Sequence, residues 1–129
     1  MLIIAAKSFA QNDFSTPRRA VQSFYENMYA DVPDVSTASK IISSRHIFSK
    51  KKREELALEL KAYIDANGTG NPQLDSIPDE KNYKDSVTGK NAYRLNQDFE
   101  LVKIGNHWYL SKETVNQIPD LIKDNQKQN

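Results

Sequence analysis

Few residues of this 129-residue chain are equipped for chemistry, and their spacing decides how far each can be taken. His46 and His107 are the only histidines, and cysteine is absent. A zinc ion takes three or four ligands in a tetrahedral set, so carboxylates would have to complete one here. His46 falls in a connection and His107 beside a turn, which offers no ligand spacing. The lack of cysteine also removes thiol catalysis and disulfides. Serines are plentiful, but no G-x-S-x-G elbow exposes one as a nucleophile. Asp75, Asp79, Glu80 and Asp85 cluster in one stretch and suggest calcium, yet they do not follow the D-x-D-x-D-G order of an EF-hand loop. They read as a solvated acidic loop. No catalytic, cofactor-binding or metal-ligating residue is nominated, and the expectation is a protein that is not an enzyme and carries no cofactor.

The one concentrated charge run is Lys50-Lys51-Lys52-Arg53. At a helix start these cations oppose the helix dipole, an arrangement eased by i,i+4 pairing of Lys50 with Glu54 and Lys51 with Glu55. The run is the candidate contact surface, towards lipid headgroups or an acidic neighbouring subunit, because each cation near an anionic surface is worth about 1 kcal/mol. Nucleic acid is excluded as a partner: no aromatic residues interleave the run, and 18 basic residues against 17 acidic ones leave a net charge of only +1. Asn67-Gly68-Thr69 matches a glycosylation sequon and reads equally as a helix stop.

The elements that position these residues are organised around Phe99 to Ile122. Gly105-Asn106 separates Leu101-Val102-Lys103-Ile104 from His107-Trp108-Tyr109-Leu110, and glycine at the first central position suits a type II′ turn. The spacing sets Ile104 opposite His107, Lys103 opposite Trp108, Val102 opposite Tyr109 and Leu101 opposite Leu110. Apolar groups fall on both faces, which predicts a strand pair partly covered on each side. Ala92 to Leu95 adds a third strand. Ser111 caps a helix that follows, with a break and a fresh start at Ile118-Pro119-Asp120.

Upstream, Thr16 caps a helix with Pro17 at its first position, and Ala20, Val21, Phe24, Tyr25 and Met28 form its buried stripe. Asp34 caps a shorter helix. A connection from Ser43 to Ser49 tucks Ile47 and Phe48 inward. Ser49 then caps the longest helix, which ends near Ala66 and turns Leu56, Ala57, Leu60, Tyr63 and Ile64 to the core. Asn67-Gly68 stops it. The irregular stretch from Thr69 to Asn91 is anchored by Leu74, Ile77 and Tyr83. The predicted fold class is α+β: about three helices, a small antiparallel sheet built on the 101–110 hairpin, then C-terminal helices. Phe24, Leu60, Trp108 and Tyr109 are its predicted structural core.

A chain of this length with 38% hydrophobic residues makes one domain with one modest core. Leu2 to Ala6 is apolar, and Ser8-Phe9-Ala10 has the small-x-small pattern of a signal cleavage site. Residues 1–14 therefore read as a partial signal peptide or a disordered leader, 15–124 as the domain, and 125–129 as a polar tail or linker.

The order of the remaining motifs resembles one family. Thr16-Pro17-Arg18-Arg19 with Val21 and Phe24, Arg53-Glu54-Glu55-Leu56-Ala57 with Leu60-Lys61 and Ile64-Asp65, Ser76-Ile77-Pro78-Asp79, Asp85-Ser86, Thr88-Gly89, and Trp108-Tyr109 with Ser111, Thr114-Val115 and Ile118-Pro119 together resemble the N-terminal extramembrane domain of some bacterial proteins of the small-conductance mechanosensitive ion channel family. The resemblance implies a non-catalytic accessory domain on the periplasmic side of the inner membrane. Its partners would be the membrane segments of the same full-length protein, whose pore region lies outside these residues. A second resemblance, of T-P-x-x-A-V-x-x-F-Y and G-x-x-W-Y to small exported NTF2-like domains, implies instead a free-standing ligand-binding domain with a cavity.

Overall fold

Gly105 adopts φ +63°, and among the described residues no non-glycine residue has a positive φ, so the turn at Gly105-Asn106 has the II′ pattern. It joins β2 (Glu100–Ile104) to β3 (His107–Leu110) in the expected register, Leu101 opposite Leu110 and Lys103 opposite Trp108. A third strand, β1 (Ala92–Arg94), pairs antiparallel with the other side of β2, giving the order β1-β2-β3. The computed structural model describes residues 11–67 and 72–127.

Four helices accompany the sheet among those residues. In α1 (Pro17–Met28) the Thr16 hydroxyl accepts from the Arg19 amide at 3.1 Å. In α2 (Val35–Ala38), extended by a 3₁₀ turn over Ser39–Ile41, Asp34 accepts from the Thr37 amide at 3.0 Å. In α3 (Lys50–Ala66) Ser49 accepts from Lys52, and in α4 (Lys112–Lys127) Ser111 accepts from Thr114, each at 3.2 Å. Every start is thus a short polar side chain satisfying an amide that the helix itself leaves unpaired. The α+β class is as the pattern predicts.

Helices α3 and α4 pack together, as do α1 and α2, and α2 and α3. Phe24 and Met28 of α1, Leu56, Leu60 and Ile64 of α3, Val115 and Ile118 of α4, and Leu101, Trp108 and Leu110 of the sheet meet in one core. Trp108 is completely buried, and its indole N–H donates to the Lys81 carbonyl at 3.0 Å. Three of the four expected core residues, Phe24, Leu60 and Trp108, lie there. Tyr109 does not. It projects from the opposite sheet face, half-buried, with its ring 6.3 Å from that of His107. Side chains alternate along a strand, and the core contains no residue from this second face of the hairpin.

Three further expectations are corrected. Pro119 does not break the last helix: α4 runs through it, so one C-terminal helix replaces the expected pair. A proline inside a helix loses a hydrogen bond and crowds the preceding turn, but that turn is anchored in the core by Val115 and Ile118, both nearly inaccessible, and Ile118 stays helical up to the proline. The stop at Asn67 is where it was expected, with the Asn67 side-chain amide donating to the Tyr63 carbonyl at 2.8 Å; Gly68 and Thr69 lie outside the described residues. The domain also starts earlier than residue 15. The Trp108 amide donates to the Phe14 carbonyl at 2.7 Å, Phe14 is buried, and Asn27 donates to the Gln11 carbonyl at 2.6 Å. Helix α4 reaches Lys127, so the expected tail from residue 125 is helical at its beginning. The signal-like stretch up to Ala10 lies outside the described residues.

The segment after Pro72 is held down as anticipated. Ile77 is buried, and Leu74 and Tyr83 pack against the core. The hydrogen bonds that fix it come from the start of α1: the Arg18 amide donates to Pro78 at 3.0 Å and the Arg18 Nε to the Ile77 carbonyl at 2.9 Å.

Candidate functional site

Of the four acidic residues of the long loop, Asp79 and Asp85 are engaged by structure, whereas Asp75 and Glu80 are exposed. Asp79 accepts from the Thr16 hydroxyl at 2.6 Å and from Arg19 Nε at 3.2 Å; the Thr16 bond, then Arg19, holds its pKa below the ordinary carboxylate value. Asp85 accepts from the amides of Thr88 and Val87, at 2.9 and 2.8 Å, and is lowered by those bonds. Arg19 also reaches Asp13 at 2.8 Å. Asp13 falls to about 2, chiefly through its bond with Ser15 and with help from Arg19. None of these carboxyls is raised towards neutrality as a general acid would need. Among the described residues, no group of three histidines and acids is placed to hold a metal ion.

The two histidines are separate. His46 is half-buried, its Nδ1 has no protein hydrogen-bond partner, and burial followed by the charge of Lys112 pushes its pKa down, against Glu113. His107 is exposed on the outer face of the hairpin.

The basic run opens α3, with Lys50, Lys51 and Lys52 exposed. The expected i,i+4 pairs are not the ones formed; Lys52 approaches Glu55 at 4.0 Å instead. Arg53 does not belong to the exposed set. It is half-buried and its Nη1 donates to the carbonyls of Ile47 at 2.9 Å and Phe48 at 2.7 Å. That clamp fixes the approach to the helix, and it accompanies a clear departure from expectation: Phe48 is 93% exposed while Ile47 packs on the core. Successive side chains of an extended segment point opposite ways, so seating one of the pair turns the other out. Adjacency in sequence suggested that both were inside. The signal that could have separated them is Arg53 itself, an arginine within reach of the preceding carbonyls.

Two concavities stand out among the described residues. One, of about 430 Å³, is mainly apolar and lies between α1, α3 and the segment around Ile77, with Phe24, Tyr25, Leu60, Tyr93 and Phe99 in its wall. The other, of about 390 Å³, has a wall of mixed character and lies where the start of α3 meets the hairpin, with Phe14, Ile42, Lys40, Arg53, His107 and Tyr109 in its wall. Sequence reasoning found neither, because each is assembled from residues far apart in the chain. No helix among the described residues is long and apolar enough to cross a membrane. Set against known proteins, the chain matches no family model, no curated protein and no solved structure.

Proposed function

We propose that this chain is a non-catalytic extramembrane module of a mechanosensitive ion channel family protein, held beside the bilayer on the periplasmic side and acting through contacts with the membrane segments of its own protein. The observation that carries the reading is the interlock of the motifs on which the resemblance rests. Thr16, Arg18 and Arg19 grip Ile77, Pro78 and Asp79; Asp85 ties Thr88; Trp108 holds Lys81; Ser111 and Thr114 cap α4. These residues build a scaffold and leave no reactive group behind, which suits a module that works by shape and contact. Such a domain biases gating only by interacting differently with the closed and open states. In membrane patches containing the full-length protein, deleting residues 11–127 shifts the tension threshold and leaves conductance unchanged; an unaltered threshold and assembly would refute the role.

The mainly apolar cavity favours a second reading. Its volume of about 430 Å³ lies within the usual range for small-molecule sites, of the order of 300–1,000 Å³. An apolar ligand seated there would make the chain a binding domain, as the second resemblance implies. Saturable quenching of Trp108 fluorescence by an apolar probe, weakened by Leu60→Gln, would bring that reading forward.

A further inference from the structure

The cleft beside the start of α3, mixed in its wall but holding two cations, carries a ligand class of its own. Lys40, Arg53, His107 and Tyr109 come from the turn after α2, from α3 and from one face of β3, and all line one cavity. Arg53 spends Nη1 on the Ile47 and Phe48 carbonyls, which leaves Nε and Nη2 without a partner among the described residues. Lys40 is exposed and makes one long contact, 3.3 Å, to Asn12. The wall holds one carboxylate, Asp13, already engaged by Arg19 at 2.8 Å. Two cations and further polar groups around a single neutralised acid make a site for a phosphate-like anion, which guanidinium and ammonium groups recognise by charge-assisted hydrogen bonds.

The surroundings specify which anion. Through the 2.7 Å bond to its carbonyl, the guanidinium that lines the cleft also fixes the backbone of Phe48, whose side chain is 93% exposed. Exposed Lys50 and Lys51 follow within one turn. An aromatic side chain projecting beside cations suits the boundary between headgroups and acyl chains, whereas a soluble phosphate gives the phenyl ring nothing to enter. We propose that this corner of the domain docks on anionic phospholipid, with the headgroup phosphate in the cleft between Lys40 and Arg53 and Phe48 inserted alongside. The inference deepens the reading of a domain held beside a bilayer, but it is tested on the isolated chain, so failure here leaves the gating experiment free to succeed, and the reverse.

The test is sedimentation of the 129-residue chain with vesicles of phosphatidylcholine alone or with about one third phosphatidylglycerol. Retention is expected on the anionic vesicles only, and it falls as salt is raised. Phe48→Ser weakens it about tenfold, the worth of partly burying one phenyl ring, and Lys40→Gln about fivefold, the worth of one cation at an anionic surface. Inorganic phosphate should shift the amide resonances of Lys40 and Ser44 equally in wild type and Phe48→Ser, which shows that the variant is folded with its cleft intact. Equal binding to both vesicles, or none, overturns the proposal. Phosphate shifts without vesicle binding assign a soluble phosphate and also overturn it, as does tighter retention on immobilised polyglutamate than on anionic vesicles, which assigns an acidic protein.

Discussion

Replacing Trp108 by alanine removes the largest fully buried side chain of the domain. A tryptophan buries about 150–250 Å², which at about 25 cal/mol per Å² gives roughly 4–6 kcal/mol as an upper bound. Measured losses for such truncations are about 3–5 kcal/mol, so the expected loss is about 4 kcal/mol. Against a total stability of the order of 5–15 kcal/mol that is a large share, and with a urea slope of about 1–3 kcal/mol per molar the midpoint falls by about 1.3–4 M. Trp108→Phe separates the two contributions. It keeps an aromatic ring in the core but frees the Lys81 carbonyl, which sits on an exposed residue and can turn to water; the cost should be only about 1–2 kcal/mol. Unfolding must be followed by circular dichroism, since Trp108 is the sole tryptophan. An alanine variant with an unchanged midpoint would refute the burial argument. A phenylalanine variant as damaged as alanine would show that the indole hydrogen bond, and not packing, carries the stabilisation.

Other outcomes follow from single contacts. Thr16→Ala removes the cap of α1 and the 2.6 Å bond to Asp79 together, and should cost about 1–2 kcal/mol in urea unfolding, with Thr16→Ser restoring most of it. Pro119→Ala should stabilise the chain by about 1–2 kcal/mol, less than the full helix penalty of proline because alanine also loosens the unfolded chain; a lower melting temperature would show that the ring is needed for packing. Acid should weaken the fold in two stages. His46 has a lowered folded pKa, so its contribution is complete above its ordinary value of 6.5 and declines as pH falls through it. Asp13 contributes fully above 3.8 and loses its contribution as pH falls towards about 2. In urea midpoints measured from pH 7 to 2, His46→Gln removes the first decline and Asp13→Asn flattens part of the second. Elemental analysis of purified protein should find no stoichiometric zinc or calcium; a metal whose chelation unfolds the chain would refute the structural roles given to Asp79 and Asp85.

What the sequence disclosed is what short-range physics controls. The hairpin register follows from a two-residue turn, and Thr16, Asp34, Ser49 and Ser111 are recognisable as caps because the amides they satisfy lie three residues on. Side-chain alternation told which residues share a strand face, but not which face the helices would cover, and so Tyr109 was assigned to the core. Pro119 reads as a break until the burial of Ile118 beside it is known, since a tertiary contact outweighs a local preference. Asn12, Asp13 and Phe14 look like the end of a leader in isolation; only the edge of β3, far along the chain, reveals Phe14 as part of the fold. The basic run was legible as a feature, whereas its division into three exposed lysines and one half-buried clamp depends on carbonyls that have no letter in the sequence.

The grip of α1 on the loop has a consequence for biosynthesis. Thr16 waits 63 residues for Asp79, and Arg18 waits 59 for the Ile77 carbonyl. At about 5–20 residues per second, the first helix is on the ribosome for roughly 3–13 s before its partners exist. The strand that receives the Phe14 carbonyl is made later still. Until then α1 has only α2, the turn after it and α3 to pack against, so the contacts that lock the first helix into the domain are among the last the growing chain can make.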